Sequence, residues 1–159
     1  SFTNDIITNR IITVTKSGNN ISDYNDLSGK KLAVVTDIAK AALDKNSTIK
    51  NNNKNTLYPT IEDALAALDN GSVDAVITDE FNFSPLENAE KYQVLNGELD
   101  KISYAFMFKK GDWVVENWNE AIYELKSPDY NDKDEFTPMV EKYFGYNASS
   151  FDYVPSKTK

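Results

Sequence analysis

Hydrophobic positions along the chain switch repeatedly between a two-residue and a three-to-four-residue spacing. Ile6 to Lys16 contains Arg-Ile-Ile-Thr-Val-Thr-Lys, β-branched and partly alternating, which predicts a strand. Lys16-Ser-Gly-Asn-Asn20 reads as a turn, and Ser22 to Leu27 as one helical turn capped by Ser22 and broken at Gly29. Leu32-Ala-Val-Val35 is a short buried strand, after which Asp37 is positioned to cap a helix through Asn46. The polar stretch Asn46 to Asn55 reads as a surface loop, and Thr56-Leu-Tyr58 as a brief strand. Thr60 caps a helix with Ile61, Ala64, Leu65 and Leu68 on one face and Gly71 at its stop. Val73 to Thr78 predicts the next strand, with Asp79 at its carboxyl end. A helix around Pro85 to Glu90 leads to a strand at Tyr92 to Leu95.

The remainder begins with a long apolar strand, Ile102 to Phe108, ending at Lys109-Lys-Gly111. Asp112 is the expected cap of a helix that places Val115, Trp118, Ile122 and Leu125 on one face. A last helix is expected from Thr137-Pro138, carrying Val140, Tyr143 and Phe144 and stopping at Gly145. The tail from Tyr146 to Lys159 shows no period. Strands alternating with helices predict an α/β fold with a mostly parallel sheet flanked by helices. Leu32–Val35, Thr56–Tyr58 and Val73–Thr78 belong to that sheet, with the helix from Ile61 to Asn70 packed on it. Such sheets bind ligands beyond the carboxyl ends of their strands, which directs attention to Thr36–Ala39 and Thr78–Asp79.

Composition narrows the chemistry. With 159 residues, 40% of them apolar, the chain is long enough for a real core. A net charge of −8, with scattered lysines and no basic patch, argues against nucleic acid. No apolar stretch approaches a membrane span and no signal-peptide pattern opens the chain, so an exported protein would carry its targeting segment upstream. The absence of cysteine excludes disulfides and thiolate chemistry, and the absence of histidine removes the commonest general base and most zinc sites. Gly-rich phosphate loops, serine elbows and dinucleotide fingerprints are missing too. An enzyme remains possible only through carboxylates, lysine or tyrosine, and a non-enzyme without cofactor or metal is expected.

Two segments carry candidate binding chemistry. Thr36-Asp-Ile-Ala39 joins a strand to a helix N-terminus, where free N–H groups and the helix dipole favour an anion. The plainer alternative is an ordinary connection in which the Asp37 carboxylate itself takes the anion's place. Asp79 and Glu80 follow a buried strand; one carboxylate can face a cleft and hold an ammonium group, or both can be capping or solvated side chains. Glu62-Asp63 and Asp132 to Glu135 lack the glycine and terminal glutamate of a calcium loop and read as solvated faces. The aromatic set Trp113, Trp118, Tyr123, Tyr143 and Phe144 fits core packing better than a sugar or base site.

The order of these pieces resembles the second lobe and closing helices of bacterial extracellular solute-binding proteins, family 3, the polar amino-acid type. Phe2-Thr-Asn-Asp-Ile-Ile looks like the family's segment entering the first crossover strand. Asp26-Leu-Ser-Gly-Lys-Lys-Leu-Ala-Val34 is similar to its Asp-Leu-x-Gly-Lys-x-Val-Ala-Val. Ala67-Leu-Asp-Asn-Gly-Ser-Val-Asp-Ala-Val-Ile-Thr-Asp79 resembles its Ala-Leu-x-x-Gly-x-Val-Asp-Ala-Val-x-x-Asp. Ile102 to Lys109 looks like the return strand, and Asn119 to Leu125 and Glu141 to Gly145 like the closing helices.

The resemblance implies a periplasmic-binding-protein type II lobe. Its parts would be the end of the first lobe and a hinge strand (1–14), the second lobe (15–101), a return strand (102–111), closing helices (112–145) and a tail (146–159). It implies a ligand-binding component that delivers an amino-acid-like solute to a membrane ABC permease, extracellular or periplasmic, with any lipid anchor upstream and most of the first lobe missing. Asp79 falls on the aspartate that holds the ligand's amino group. Thr36, Ile38 and Ala39 fall on the turn whose N–H groups hold its carboxylate, and Val35 and Thr78 fall beside them. Asp37 and Ile38 depart from that turn's usual glycine and hydroxyl residue, and a carboxylate in a carboxylate pocket opposes a plain amino acid. The same fold also serves as the outer sensor domain of membrane histidine kinases and diguanylate cyclases, and, less fittingly here, in dehydratase-like enzymes. Because the closing helices would lack a partner, a homodimer burying Trp118 and Phe144 is a further expectation.

Overall fold

The alternating periods are realised as a six-stranded sheet with helices beside it, in a computed structural model that describes residues 1–145. The strands are β1 (Ile7–Lys16), β2 (Lys31–Val34), β3 (Lys54–Leu57), β4 (Ala75–Asp79), β5 (Tyr92–Val94) and β6 (Asp100–Tyr104). The helices are α1 (Asp37–Lys45), α2 (Ser47–Asn52), α3 (Ile61–Asp69), α4 (Glu80–Phe83), α5 (Val114–Lys126) and α6 (Phe136–Phe144). The sheet runs β3-β2-β4-β1-β5, with β6 pairing β1. β2 is parallel to both β3 and β4, whereas β1 is antiparallel to β4 and β5. The α/β sheet expected from the pattern is therefore present, with its parallel part in β3, β2 and β4.

The described chain divides into two compact units, Arg10–Lys101 and Ser1–Asn9 with residues 102–145. In the first, side-chain alternation sends Ile11, Leu32, Val34 and Ile77 to one face and Ile12, Val14, Ala33 and Val76 to the other. The first set packs with Ala39, Ala42 and Leu43 of α1 and with Ile49 of α2. The second packs with Ile61, Ala64, Leu65 and Leu68 of α3 and with Phe83. Helices on both faces explain why β2 and β4 read as unbroken apolar runs. Full burial stabilises each large side chain by about 1.5–3 kcal/mol.

The second unit has a smaller core. Phe136 and Val140 of α6 are buried with Ile6, Ile7, Leu125 and Phe144 packed around them. Lys126 donates its Nζ to the Asp5 carbonyl at 2.9 Å and lies 4.9 Å from the Phe136 ring centroid. Trp118 packs edge-on against Phe106, with ring centroids 4.9 Å apart. The apolar residues expected to lack a partner thus divide: Ile122 and Val140 are buried, while Trp118 and Tyr143 are 42% and 67% exposed.

Several element boundaries differ from those the sequence predicts. Asn46 to Asn55 is not a loop: the Asn46 side chain caps α2 by accepting from the Ile49 N–H, and β3 begins at Lys54. Ile49 is the single buried residue of α2, so no apolar period announced it. The helix expected around Pro85 starts earlier, as one α turn directly after Asp79, with a separate 3-10 turn at Ala89–Lys91. The strand expected through Phe108 ends at Tyr104, beyond which Phe106 pairs irregularly with Thr3 and Met107 bridges Phe2. Asp23, not Ser22, caps the 3-10 turn Tyr24–Leu27. Asp112 lies ahead of α5 and accepts from the Val114 N–H at 3.1 Å, while Trp113 occupies the cap position. α6 runs from Phe136 to Phe144 and is closed by Gly145, whose φ of 68° suits the left-handed cap. The tail 146–159 lies outside the described residues. Among the described residues no helix is long and apolar enough to cross a membrane.

Candidate functional site

β2 and β3 run parallel, so their carboxyl ends lie on the same side of the sheet, and each leads into a helix. Val35 donates its N–H to Ile77 at 3.1 Å and Tyr58 donates to Val34 at 2.9 Å, which extends the ladder to the edge of both connections. Threonine hydroxyls then start the helices. Thr36 Oγ1 accepts the Ala39 N–H at 3.2 Å, and Thr60 Oγ1 accepts the Asp63 N–H at 3.1 Å. Thr36 is therefore the cap of α1 and Asp37 its first residue, a correction to the reading in which Asp37 did the capping. The physical reason is reach, since the Thr36 hydroxyl already meets the N–H three residues on, while a carboxylate in the first turn still favours the helix dipole.

These two connections border a cleft of about 610 Å³. Val35, Thr36, Asp37, Tyr58, Glu62 and Asn82 are among its lining residues, with Leu57 and Leu86 as apolar walls. Among the described residues that line it, none is a lysine or arginine; the carboxylates are Asp37 and Glu62.

Of the six residues singled out from sequence, Val35 and Thr36 line the cleft. Ile38 is half-buried against the α1-side core, and Ala39 and Thr78 are fully buried. Asp79 is 4% exposed and caps α4: its Oδ1 accepts the Asn82 N–H at 3.2 Å and its Oδ2 accepts from Asn82 Nδ2 at 3.0 Å. Asn82, which lines the cleft, thus links it to the buried carboxylate. Tyr58, Thr60, Glu62 and Asn82 also line the cleft, although the sequence marks Thr60 only as a helix cap and Glu62 only as part of a solvated face. Applying the strand-end rule to the Thr56–Tyr58 strand as well would have indicated the first three. Asn82 had no signal, because α4 was not anticipated.

Glu80 has a different role from its neighbour. It accepts a two-pronged hydrogen bond from Arg10 at 2.9 and 2.8 Å, and Glu98 stands 3.9 Å from the same guanidinium. Burial pushes the Glu80 carboxyl above the usual carboxylate range, with Arg10 opposing the shift. Among the described residues no group of three or more histidines, cysteines, aspartates or glutamates is placed to hold a metal.

No protein-family model and no curated sequence matches the chain. Solved structures do. A domain assigned as the second substrate-binding domain of an amino-acid ABC transporter from Streptococcus pneumoniae is 26% identical, with a TM-score of 0.69 over 91% of this chain and 64% of that one. A polar amino-acid ABC uptake transporter substrate-binding protein from Streptococcus thermophilus is 22% identical, with a TM-score of 0.74 over 93% of this chain and 58% of that one. The GluR0 ligand-binding core from Nostoc punctiforme, solved with L-glutamate, is 22% identical, with a TM-score of 0.60 over 90% and 64%. The chain spans less than two thirds of the length of each of these three. The likeness establishes the type II periplasmic-binding-protein lobe, and these neighbours are binding proteins.

Proposed function

We propose that the chain is a ligand-binding module of an amino-acid-type ABC transporter, taking a small amino-bearing solute at the carboxyl ends of β2, β3 and β4. The observation that carries this reading is the cleft itself, in a lobe of this fold, at the strand ends where parallel sheets bind ligands. Of the set Val35, Thr36, Ile38, Ala39, Thr78 and Asp79, the first two meet the ligand in the cleft, and Ile38, Ala39 and Thr78 back them from the core. Asp79, with Asn82, supplies acceptors for an ammonium group. The segments 1–14 and 102–111 act as crossings to a first lobe that completes the site. The module works outside the cell or in the periplasm, held there by an upstream anchor, with a membrane permease as its partner. Pairing of two copies through Trp118 and Phe144 is an additional proposal. A sensor role for the same module requires a membrane segment and a signalling domain in the same gene, and the adjoining gene sequence discriminates the two.

Calorimetry on the native polypeptide with a panel of amino acids and amines tests the reading. Asp79→Ala should weaken an amino-bearing ligand by ~2–5 kcal/mol, the range for truncating one partner of a buried charged pair. Unchanged affinity in a folded variant removes Asp79 from the site.

A further inference from the structure

We infer that the solute taken by this cleft is an organic cation without a free carboxylate: an amine or guanidine on a short apolar body. The inference rests on the solute-binding reading above and narrows its ligand class. A helix N-terminus attracts a ligand's carboxylate through free N–H groups and the dipole. Both long helices that border this cleft bring their own anion instead. At α1, Thr36 takes the Ala39 N–H and Asp37 occupies the first turn. At α3, Thr60 takes the Asp63 N–H and Glu62 and Asp63 occupy the first turn. A ligand carboxylate entering between them meets like charge from Asp37 and Glu62, both of which line the cleft.

Cations on the neighbouring elements do not offset those charges. Lys40 of α1 pairs with Asp44 at 3.1 Å, and Arg10 is engaged by Glu80 at 2.8 Å with Glu98 nearby. The remaining wall suits an alkyl ammonium or guanidinium group. Leu57 and Leu86 can cover a methylene chain, and the Tyr58 ring can attract a cation to its face. A net charge of −8 adds long-range attraction for cations.

Matched ligand pairs separate this class from amino acids. Calorimetry on the native polypeptide would compare agmatine with arginine and cadaverine with lysine, and include glutamate as an anion. The decarboxylated member of each pair should bind about tenfold tighter, and glutamate should bind weakest. Asp37→Asn should bring each pair close to parity, and Glu62→Gln should weaken both amines several-fold, with thermal melts confirming that the variants fold. Arginine and lysine binding as tightly as their decarboxylated partners, or a ratio unmoved by Asp37→Asn, overturns the inference. In that event loss of binding in Asp79→Ala still upholds the solute-binding reading. Binding of none of the five solutes overturns both.

Discussion

The two units of this chain dispose of their apolar residues in opposite ways. In Arg10–Lys101 the sheet is covered on both faces, and only Leu57 and Val94 are large apolar residues left exposed. Leu57 is itself a wall of the cleft. In the other unit Phe2, Tyr104, Phe106, Met107, Trp113, Trp118, Tyr130, Met139 and Tyr143 are exposed around a core built on Phe136 and Val140. A sheet with helices on each side closes its own core, whereas two helices beside irregular strands have too little facing surface to do so. The lesson is that helical periodicity reports which side of α5 is apolar, but not whether anything covers it.

Substitutions can sharpen or break this contrast. The largest effect is expected from Leu32→Ala, because Leu32 is fully buried between β3 and β4. It should cost about 2–5 kcal/mol in urea unfolding. A loss below about 1 kcal/mol, within the range of a surface change, would show that the two-faced core is looser than described.

Arg10→Met comes next, at roughly 3 kcal/mol near neutral pH, since it leaves the buried Glu80 carboxylate without its partner. The sign of its pH dependence comes from burial. Burial raises the folded pKa of Glu80, so the folded state binds more protons than the unfolded state between the unfolded pKa and the raised folded one. Stability from this group is therefore greatest at acid pH and is lost as pH rises through the folded pKa. In Arg10→Met that pKa rises further, so unfolding midpoints at pH 7 and pH 5 should show the loss shrinking on acidification. A loss that grows on acidification would contradict the assignment.

Smaller effects separate the units. Thr60→Ala removes the cap of α3 beside the cleft and should cost about 1 kcal/mol in thermal or urea unfolding. Trp118→Ala breaks the edge-on contact with Phe106 and the tilted one with Phe108. Its cost should be of order 1 kcal/mol and fall on the unit that holds α5. Hydrogen exchange should then quicken in α5 while amides of β2 and β4 keep their protection. Equal loss of protection in both would erase the distinction between them.

Much of the fold was legible because its signals are local. Thr60 as a cap, the apolar face of α3, Gly71 and Gly145 as stops, and the unbroken runs of β2 and β4 each arise from a few neighbouring residues. α2 was not legible, because one buried isoleucine in a polar stretch makes no period. The exit from β4 was misjudged for a related reason. The sequence puts a helix around Pro85 to Glu90, whereas the turn forms before Pro85 on the Asp79 cap.

The sequence by itself determined the parallel α/β class, the strand ends to search, and the negative charge near them. Tertiary structure alone decided what those ends do. It buried Asp79 at the end of β4 and brought Tyr58 and Glu62 to the cleft that holds Thr36 and Asp37. The physical reason is that capping needs only a few residues of one segment. A cleft, by contrast, forms where strands distant in sequence end together, and that requires the whole sheet.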